Sequence, residues 1–501
     1  MNLYHLYVFS FKDGNDDGIG DLWGIKEKIN YLKILPVDAI YFSPVYETGF
    51  VDWGYDVKNY KKIEPTIGNN ELMKEIVDEL HASGKKVIFD LILNHVSKEH
   101  ECFQKALLGD KKCKEFFIWR KKINNWKNYM EESAWTYVPE IGEYYLHMFH
   151  PAQPDLNYRN PEVVNYIIDT ISFIVEEFGV DGFRLDVINL LLKRMDFSDV
   201  DEKCNKSHCF AKLPETVDLV KQIFDEVKSK TGKNLYLIGE VSTRSLEEWK
   251  KWSSILDSYF EFRFNQQDDK TNEFTAGYFY KILKDYIKDD YNGLIPTMPL
   301  GNHDTDRIAT KFGEWNKIEP NFAQAVFNTM AILGPWNYSL YYGSELAMTN
   351  PRLPVKYKSK DQLLNVPSKK GGRDVGRTPM SWTPEQYAGF SRVEPWIPLS
   401  SNYMSNNVQT LQIGTYNILT YTHTLMEIKR KYGFPIKSSI NISSDALFLR
   451  FVWKELLVSV AISFSSQEMV LTVKGKENLI WRWMGKHSLL LDGNFDIEKE
   501  H

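Results

Sequence analysis

The sequence predicts an α/β fold, a (β/α)8 TIM barrel with a subdomain inserted after strand 3 and an antiparallel β domain at the C-terminal end. Three observations carry this expectation. Short runs rich in β-branched and aromatic residues alternate about eight times with segments of helical period, the pattern of a parallel sheet. The runs are nearly continuous in apolar residues, as parallel strands covered on both faces are. The polar residues that interrupt them fall mainly at their C-terminal ends, the face on which parallel barrels carry chemistry.

In chain order, strands are expected at 6–9, 37–42, Lys86–Ile92, 180–186 and 235–240, with weaker runs at 259–264, Ile295–Leu300 and 338–342. Amphipathic helices are expected at 22–35, 71–82 and Pro161–Phe178. Residues 94–154, dense in Trp, Tyr, Lys and Asn, are too many for a plain loop and read as an inserted subdomain. A shorter insertion, 350–407, precedes the last helix, and strand-like runs at 446–453, 456–464 and 469–473 close the chain. The expected division is a barrel over 1–94 and 155–432, subdomain B over 95–154 and a β domain over 433–501.

Composition narrows the function. A chain of 501 residues, 43% apolar, 14% aromatic and 26% charged, has a sizeable core and is neither a small module nor disordered. The net charge of −6, without a basic run, gives no electrostatic footprint for nucleic acid. No apolar run is long enough to span a bilayer. The first ten residues lack a basic lead and a cleavage site, so a cytoplasmic location is expected, as a monomer or weak homo-oligomer. Cys102, Cys113, Cys204 and Cys209 are too few for a disulfide framework and are expected as free thiols. Cys204 and Cys209, with His208 between them, lack the spacing and second pair of a zinc site.

The strand ends then supply a short set of polar residues. The third ends in Asp90 and runs on to Asn94-His95, the fourth ends in Arg184-Leu-Asp186, the fifth in Glu240, and the seventh leads into Asn302-His303-Asp304. Carboxylates gathered on one rim suit glycosidic cleavage, in which one attacks the anomeric carbon and a protonated partner serves the leaving oxygen. Hydride transfer is excluded, because Gly18-Ile-Gly20-Asp-Leu-Trp-Gly24 has the wrong spacing for a dinucleotide loop, and no organic cofactor is expected.

Asp90-Leu-Ile-Leu-Asn-His95, Asp181-Gly-Phe-Arg-Leu-Asp186, Leu237-Ile-Gly-Glu240 and Asn302-His-Asp304 resemble, in order and spacing, four signature regions of the α-amylase family of glycoside hydrolases. Gln153-Pro-Asp-Leu-Asn157 resembles a fifth, in the form found in oligo-1,6-glucosidases and related α-glucosidases, and Tyr144-Tyr-Leu-His147 and Arg373-Asp-x-x-Arg377-Thr-Pro-Met-x-Trp382 extend the likeness. The resemblance implies Asp186 as nucleophile, Glu240 as general acid and base, and Asp304 as the carboxylate that grips sugar hydroxyls, with retention of configuration. Arg184, two residues before Asp186, shares its face of the strand and is expected to keep the nucleophile ionised. His95, His303 and Phe149 are implied as substrate-binding residues.

Asp52-Trp-Gly-Tyr55 resembles the segment that closes the first sugar site in exo-acting members: Asp52 pairs with an arginine and Tyr55 stacks on the ring. Arg377, beside Thr378-Pro379-Met380, is the preferred partner and Arg373 the alternative. Val187, directly after the nucleophile, accompanies α-1,6 linkages in the resembled family. Thr305-Asp306 replaces the usual Gln-Pro, and Trp53 a usual Asn, so maltose, sucrose with glucosyl transfer, and trehalose 6-phosphate stay open as substrates. A catalytically silent interaction subunit is the remote alternative, disfavoured by the three carboxylates retained.

Near the start, Asp13-Gly-Asn15-Asp-Asp17-Gly-Ile19-Gly-Asp21 begins like a calcium loop but has Gly24 where an EF-hand needs Glu. The same loop occurs in the α-glucosidase branch. The resemblance implies a structural Ca2+ held by Asp13, Asn15, Asp17, the carbonyl of Ile19, and Asp21.

Overall fold

A computed structural model of the chain describes residues 1–201, 209–241, 246–265, 274–288, 294–361, 372–474, 479–484 and 487–491. Eight parallel strands close a barrel: β1 (Leu3–Leu6), β2 (Ala39–Phe42), β3 (Lys86–Ile92), β4 (Gly182–Asp186), β5 (Tyr236–Gly239), β6 (Ser258–Phe260), β7 (Ile295–Leu300) and β8 (Asn337–Tyr341). β1 pairs with β2 on one side and with β8 on the other, Leu3 lying opposite Ala39 and Ser339. Alternate residues face inward. Leu3, Ala39, Tyr41, Ile88, Ile238 and Phe260 pack as a distinct cluster. The same period of two brings Asp90, Arg184 and Asp186 onto the inner face above it.

The outer helices follow from local signals. In Pro161–Phe178, the Asn160 side chain accepts from the Glu162 N–H, Pro161 opens the first turn, and Gly179 ends the helix at φ 68. A cap of this kind contributes about 1 kcal/mol. Ten side chains of that helix, from Val163 to Phe178, are buried.

Several boundaries differ from expectation. The first strand is Leu3–Leu6, and the aromatic run beyond it turns through Val8–Ser10, because Tyr7, Val8 and Phe9 pack under the rim loops. Residues 22–35 split at Lys28 into two helices, Leu22–Glu27 and Ile29–Ile34. The C-terminal sheet has six antiparallel strands, beginning with Lys437–Ile442, which buries only Ile440 and so carries almost no apolar pattern.

Between β3 and β4 lie two short helices, Glu101–Leu107 and Lys111–Lys114, and a three-stranded antiparallel sheet of Trp119–Arg120, Glu143–Leu146 and Trp135–Val138. The helices bring Cys102 and Cys113 to a Cα separation of 4.9 Å, and the two are disulfide-bonded; Cys209 is disulfide-bonded as well. The expectation of free thiols is corrected: the residues were few in number, but the turn between the two helices places this pair within bonding range. Cys204 and His208 lie outside the described residues. No helix among the described residues is long and apolar enough to cross a membrane.

Candidate active site

Arg184, on β4, gathers three carboxyl groups at the C-terminal mouth of the barrel. Its Nη1 donates to Asp90 Oδ1 at 2.8 Å and to Asp186 Oδ1 at 2.6 Å, and its Nη2 donates to Glu240. Tyr41 and Tyr55 hydroxyls donate to the other Asp90 oxygen at 2.6 and 2.8 Å, so Asp90 is fully satisfied and wholly buried. Asp186 is also hydrogen-bonded to Glu240. Burial pushes the Asp186 carboxyl well up; Arg184 pulls it down, while Glu240 and Asp90 add to the rise. Arg184 was expected to keep Asp186 ionised. Arg184 acts in that direction, but burial and the two neighbouring carboxyls oppose it.

Val187, the next residue, has φ 36, a left-handed conformation that is strained for a β-branched residue. This turn aims its N–H at Glu240 Oε2, 3.4 Å away. Its side chain is packed in a cluster with Trp126, Trp135 and Leu190, which joins the inserted segment to the loop after β4.

Arg373 makes a second three-carboxylate centre. It donates to Asp52 at 2.6 Å, to Asp304 at 2.9 Å, and to both oxygens of Asp361. Arg377 lies deeper: its Nε donates to the His303 carbonyl at 2.9 Å, and its Nη2 stands 3.8 Å from Asp52 and 3.6 Å from Asp304. The preference for Arg377 as the hydrogen-bonding partner of Asp52 is therefore corrected to Arg373, which reaches in from the turn Gly372–Gly376. Burial raises the Asp304 carboxyl, but His303, Arg373 and Arg377 outweigh it and hold the group well below its ordinary value. Asp361, also buried, is held down to about 2 by Arg373 and Arg377. Asp52 remains raised, because burial there exceeds the pull of the two arginines.

Rings and buried polar groups complete the walls. The Tyr55 ring stacks on His303 with centroids 4.8 Å apart, and His303 Nε2 lies 3.2 Å from Asp304. Burial pushes His95 down to about 4, so it is a neutral imidazole, held by the Tyr55 carbonyl at 3.1 Å. Phe149 packs between His95 and Tyr129, with ring centroids 5.2 and 4.8 Å away. Two residues of this frame carried no expectation. Gln153 Nε2 reaches Asp52 at 3.3 Å and the Tyr55 carbonyl at 3.2 Å, and it heads the quoted Gln153-Pro-Asp-Leu-Asn157 motif. Lys193, wholly buried, pairs with Asp155 at 2.9 Å and Asn94 at 2.7 Å, tying the root of the insertion to the loop after β4. A lone lysine ending the apolar run Leu190-Leu-Leu was its only signal. Trp53 packs against Trp396, the tilted rings having centroids 4.1 Å apart.

The acidic loop follows the aromatic turn Val8–Ser10. Asp13 accepts from the N–H groups of Asn15, Asp16 and Gly18, and Asp21 from those of Gly14, Asn15 and Gly24. Asp17 Oδ1 accepts from Ile19 N–H at 2.8 Å. Among the described residues no three Asp, Glu, His or Cys side chains converge as a metal site, so a cation there would also draw on the Asn15 side chain and the Ile19 carbonyl. The donor set suits one nevertheless: Asp13 and Asp21 are both fully buried. Burial, with Asp13 adding like charge, pushes Asp21 up to about 6.

Comparison with known proteins agrees with the geometry. A family model described as Alpha amylase, catalytic domain, matches residues 5–436. The chain is 32% identical over 473 residues to an oligo-1,6-glucosidase of Heyndrickxia coagulans, covering 86% of this chain and 84% of that one. It is 30% identical over 475 residues to a trehalose-6-phosphate hydrolase of Bacillus subtilis (strain 168), covering 88% and 84%. The crystal structure of the Bacillus licheniformis trehalose-6-phosphate hydrolase superposes with a TM-score of 0.82 at 27% identity, over 92% of this chain and 90% of that one.

Proposed function

The chain belongs to the α-amylase catalytic-domain family, and from that premise we propose that it is a retaining, exo-acting α-glucosidase that releases glucose from the non-reducing end of short α-glucosides, chiefly at α-1,6 linkages. The observation that carries this reading is the placement of Asp186 and Glu240 on adjacent strand ends, both held by the one Arg184 guanidinium. With the proton on Glu240, the Asp186 carboxylate attacks the anomeric carbon while Glu240 protonates the departing oxygen. Glu240 then takes a proton from water, whose oxygen displaces Asp186 and frees glucose with its α configuration retained. Asp304 and His303 grip the sugar hydroxyls, and the Asp52–Arg373 ion pair closes the far end of the pocket, which favours attack from a chain end over internal cleavage.

The α-1,6 preference is supported by the oligo-1,6-glucosidase likeness and by Val187 beside the nucleophile. Calcium is the structural ion proposed for the acidic loop, where it would offset the buried charges of Asp13 and Asp21; it takes no part in the reaction. A cytoplasmic location belongs to this proposal too, although the Cys102–Cys113 bond gives it no support. Glucose release from isomaltose, maltose, sucrose and trehalose 6-phosphate, with the first-formed anomer read by NMR, tests the function. Isomaltose is expected to be the best substrate, and α-glucose the first product. If none of the four is cleaved the activity is wrong, and if β-glucose forms first the retaining mechanism is.

A further inference from the structure

A cavity of about 490 Å³ lies between the loops that follow β7 and β8 and the turn Gly372–Gly376, the size of an ordinary ligand cleft. Asp304 and Arg373 line both this cavity and the reactive pocket, so the two are contiguous. Trp315 stands on its wall with 52% of its surface exposed. An indole left that open presents a flat apolar face, beside Pro351, Leu353 and Val375 in the same lining. Asp306 and Glu314 stand in the same lining, Asp306 held by Asn350 at 2.7 Å and Glu314 by Thr310 at 2.9 Å. The positive groups are Arg352, which is exposed, and Arg373, already engaged by three carboxylates. Three carboxylates against two guanidiniums leave the lining net negative.

Resting on the reading of the reactive pocket given above, we propose that this cavity seats a second, uncharged sugar ring of the substrate against Trp315, and that its acidic lining selects neutral oligosaccharides against sugar phosphates. Asp306 stands at one of the positions where this chain departs from the pattern of the family it resembles, so the preference belongs to this chain's own residues. Asp306 and Glu314 are placed to accept hydroxyl hydrogen bonds, and the same two charges repel a phosphate dianion.

α-Glucosyl fluoride, whose leaving group is one atom, reads the reactive pocket alone. For Trp315→Ala, kcat/KM on isomaltotriose is expected to fall about tenfold relative to that on α-glucosyl fluoride, the scale of one lost apolar contact. Equal change on both substrates overturns the stacking role. The wild type is expected to prefer trehalose over trehalose 6-phosphate, and the double variant Asp306→Asn, Glu314→Gln to narrow or reverse that preference; a wild type that favours the phosphate overturns the charge argument. If the wild type hydrolyses isomaltotriose and α-glucosyl fluoride but fails these comparisons, the cavity assignment falls alone. If it hydrolyses neither, the active-site reading falls with it.

Discussion

Arg184 and Arg373 each hold three carboxyl groups, yet the two centres behave oppositely. At Arg184 a single positive charge is divided among Asp90, Asp186 and Glu240, and burial drives Asp186 well up. At Arg373 a second guanidinium, Arg377, stands within 4 Å of Asp52 and Asp304, and Asp304 and Asp361 are held down. The difference is one of charge balance: three carboxyls share one guanidinium in the first case, whereas in the second His303 and a further guanidinium add to the pull on Asp304. Under-compensation lifts the Asp186 carboxyl, whereas the added positive charge holds those of Asp304 and Asp361 down, and Asp52 stays raised by its burial. The first suits bond breaking and the second suits holding a ring in place.

The sharpest way to break this contrast is Asp186→Asn, expected to lower kcat on isomaltose by about four orders of magnitude. Retention of the wild-type rate would remove the nucleophile from the Arg184 centre. Next, Arg184→Lys keeps a charge but cannot bridge three partners; a fall of about 100-fold in kcat is expected, with a displaced acid limb in the pH profile. Arg373→Lys should act mainly on KM for isomaltose, by about tenfold, and by more than Arg377→Lys does. The reverse order would restore Arg377 as the closing residue.

Acidity separates the centres too. The reaction needs Asp186 ionised, and its carboxyl is raised, so activity is lost as pH falls through that raised value. The acid limb of kcat/KM is therefore expected above the ordinary aspartate value of about 3.9. A limb at or below it would assign control to the low-titrating Arg373 group. The smallest effect concerns the acidic loop, where carboxylates are met by backbone N–H groups. Removing calcium with a chelator is expected to lower the melting temperature by a few degrees and adding it back to restore it; no shift with either means the amides suffice.

The two centres were also unequally legible in the sequence. Arg184 and Asp186 sit two apart on one strand, and Asp90 and Glu240 occur at strand ends, so the period of two and the polar interruptions place all four. Arg373 and Asp361 come from loop segments after β8, whose path no periodicity reports; adjacency to Thr378-Pro379-Met380 pointed to Arg377, whereas Arg373 makes the hydrogen bond to Asp52 and Arg377 stands 3.8 Å from it. Gln153 and Lys193 were missed for a related reason: each acts between segments far apart in sequence, Lys193 meeting Asn94 and Asp155 across the base of the insertion. The eight strands were found within a few residues, because burial on both faces writes itself as an apolar run. Lys437–Ile442 was not, because only one of its residues is buried.

The pairing of Leu3 with Ser339 bears on how the chain is made. At roughly 5–20 residues per second, β1 waits tens of seconds for β8 to be synthesised. Until Tyr341 emerges, one edge of β1 and the growing edge of the half-built sheet offer unpaired amides to any neighbouring nascent chain. Closure of the cylinder is thus a late step on the ribosome, and yield in a host cell should depend on what shields those edges in the meantime.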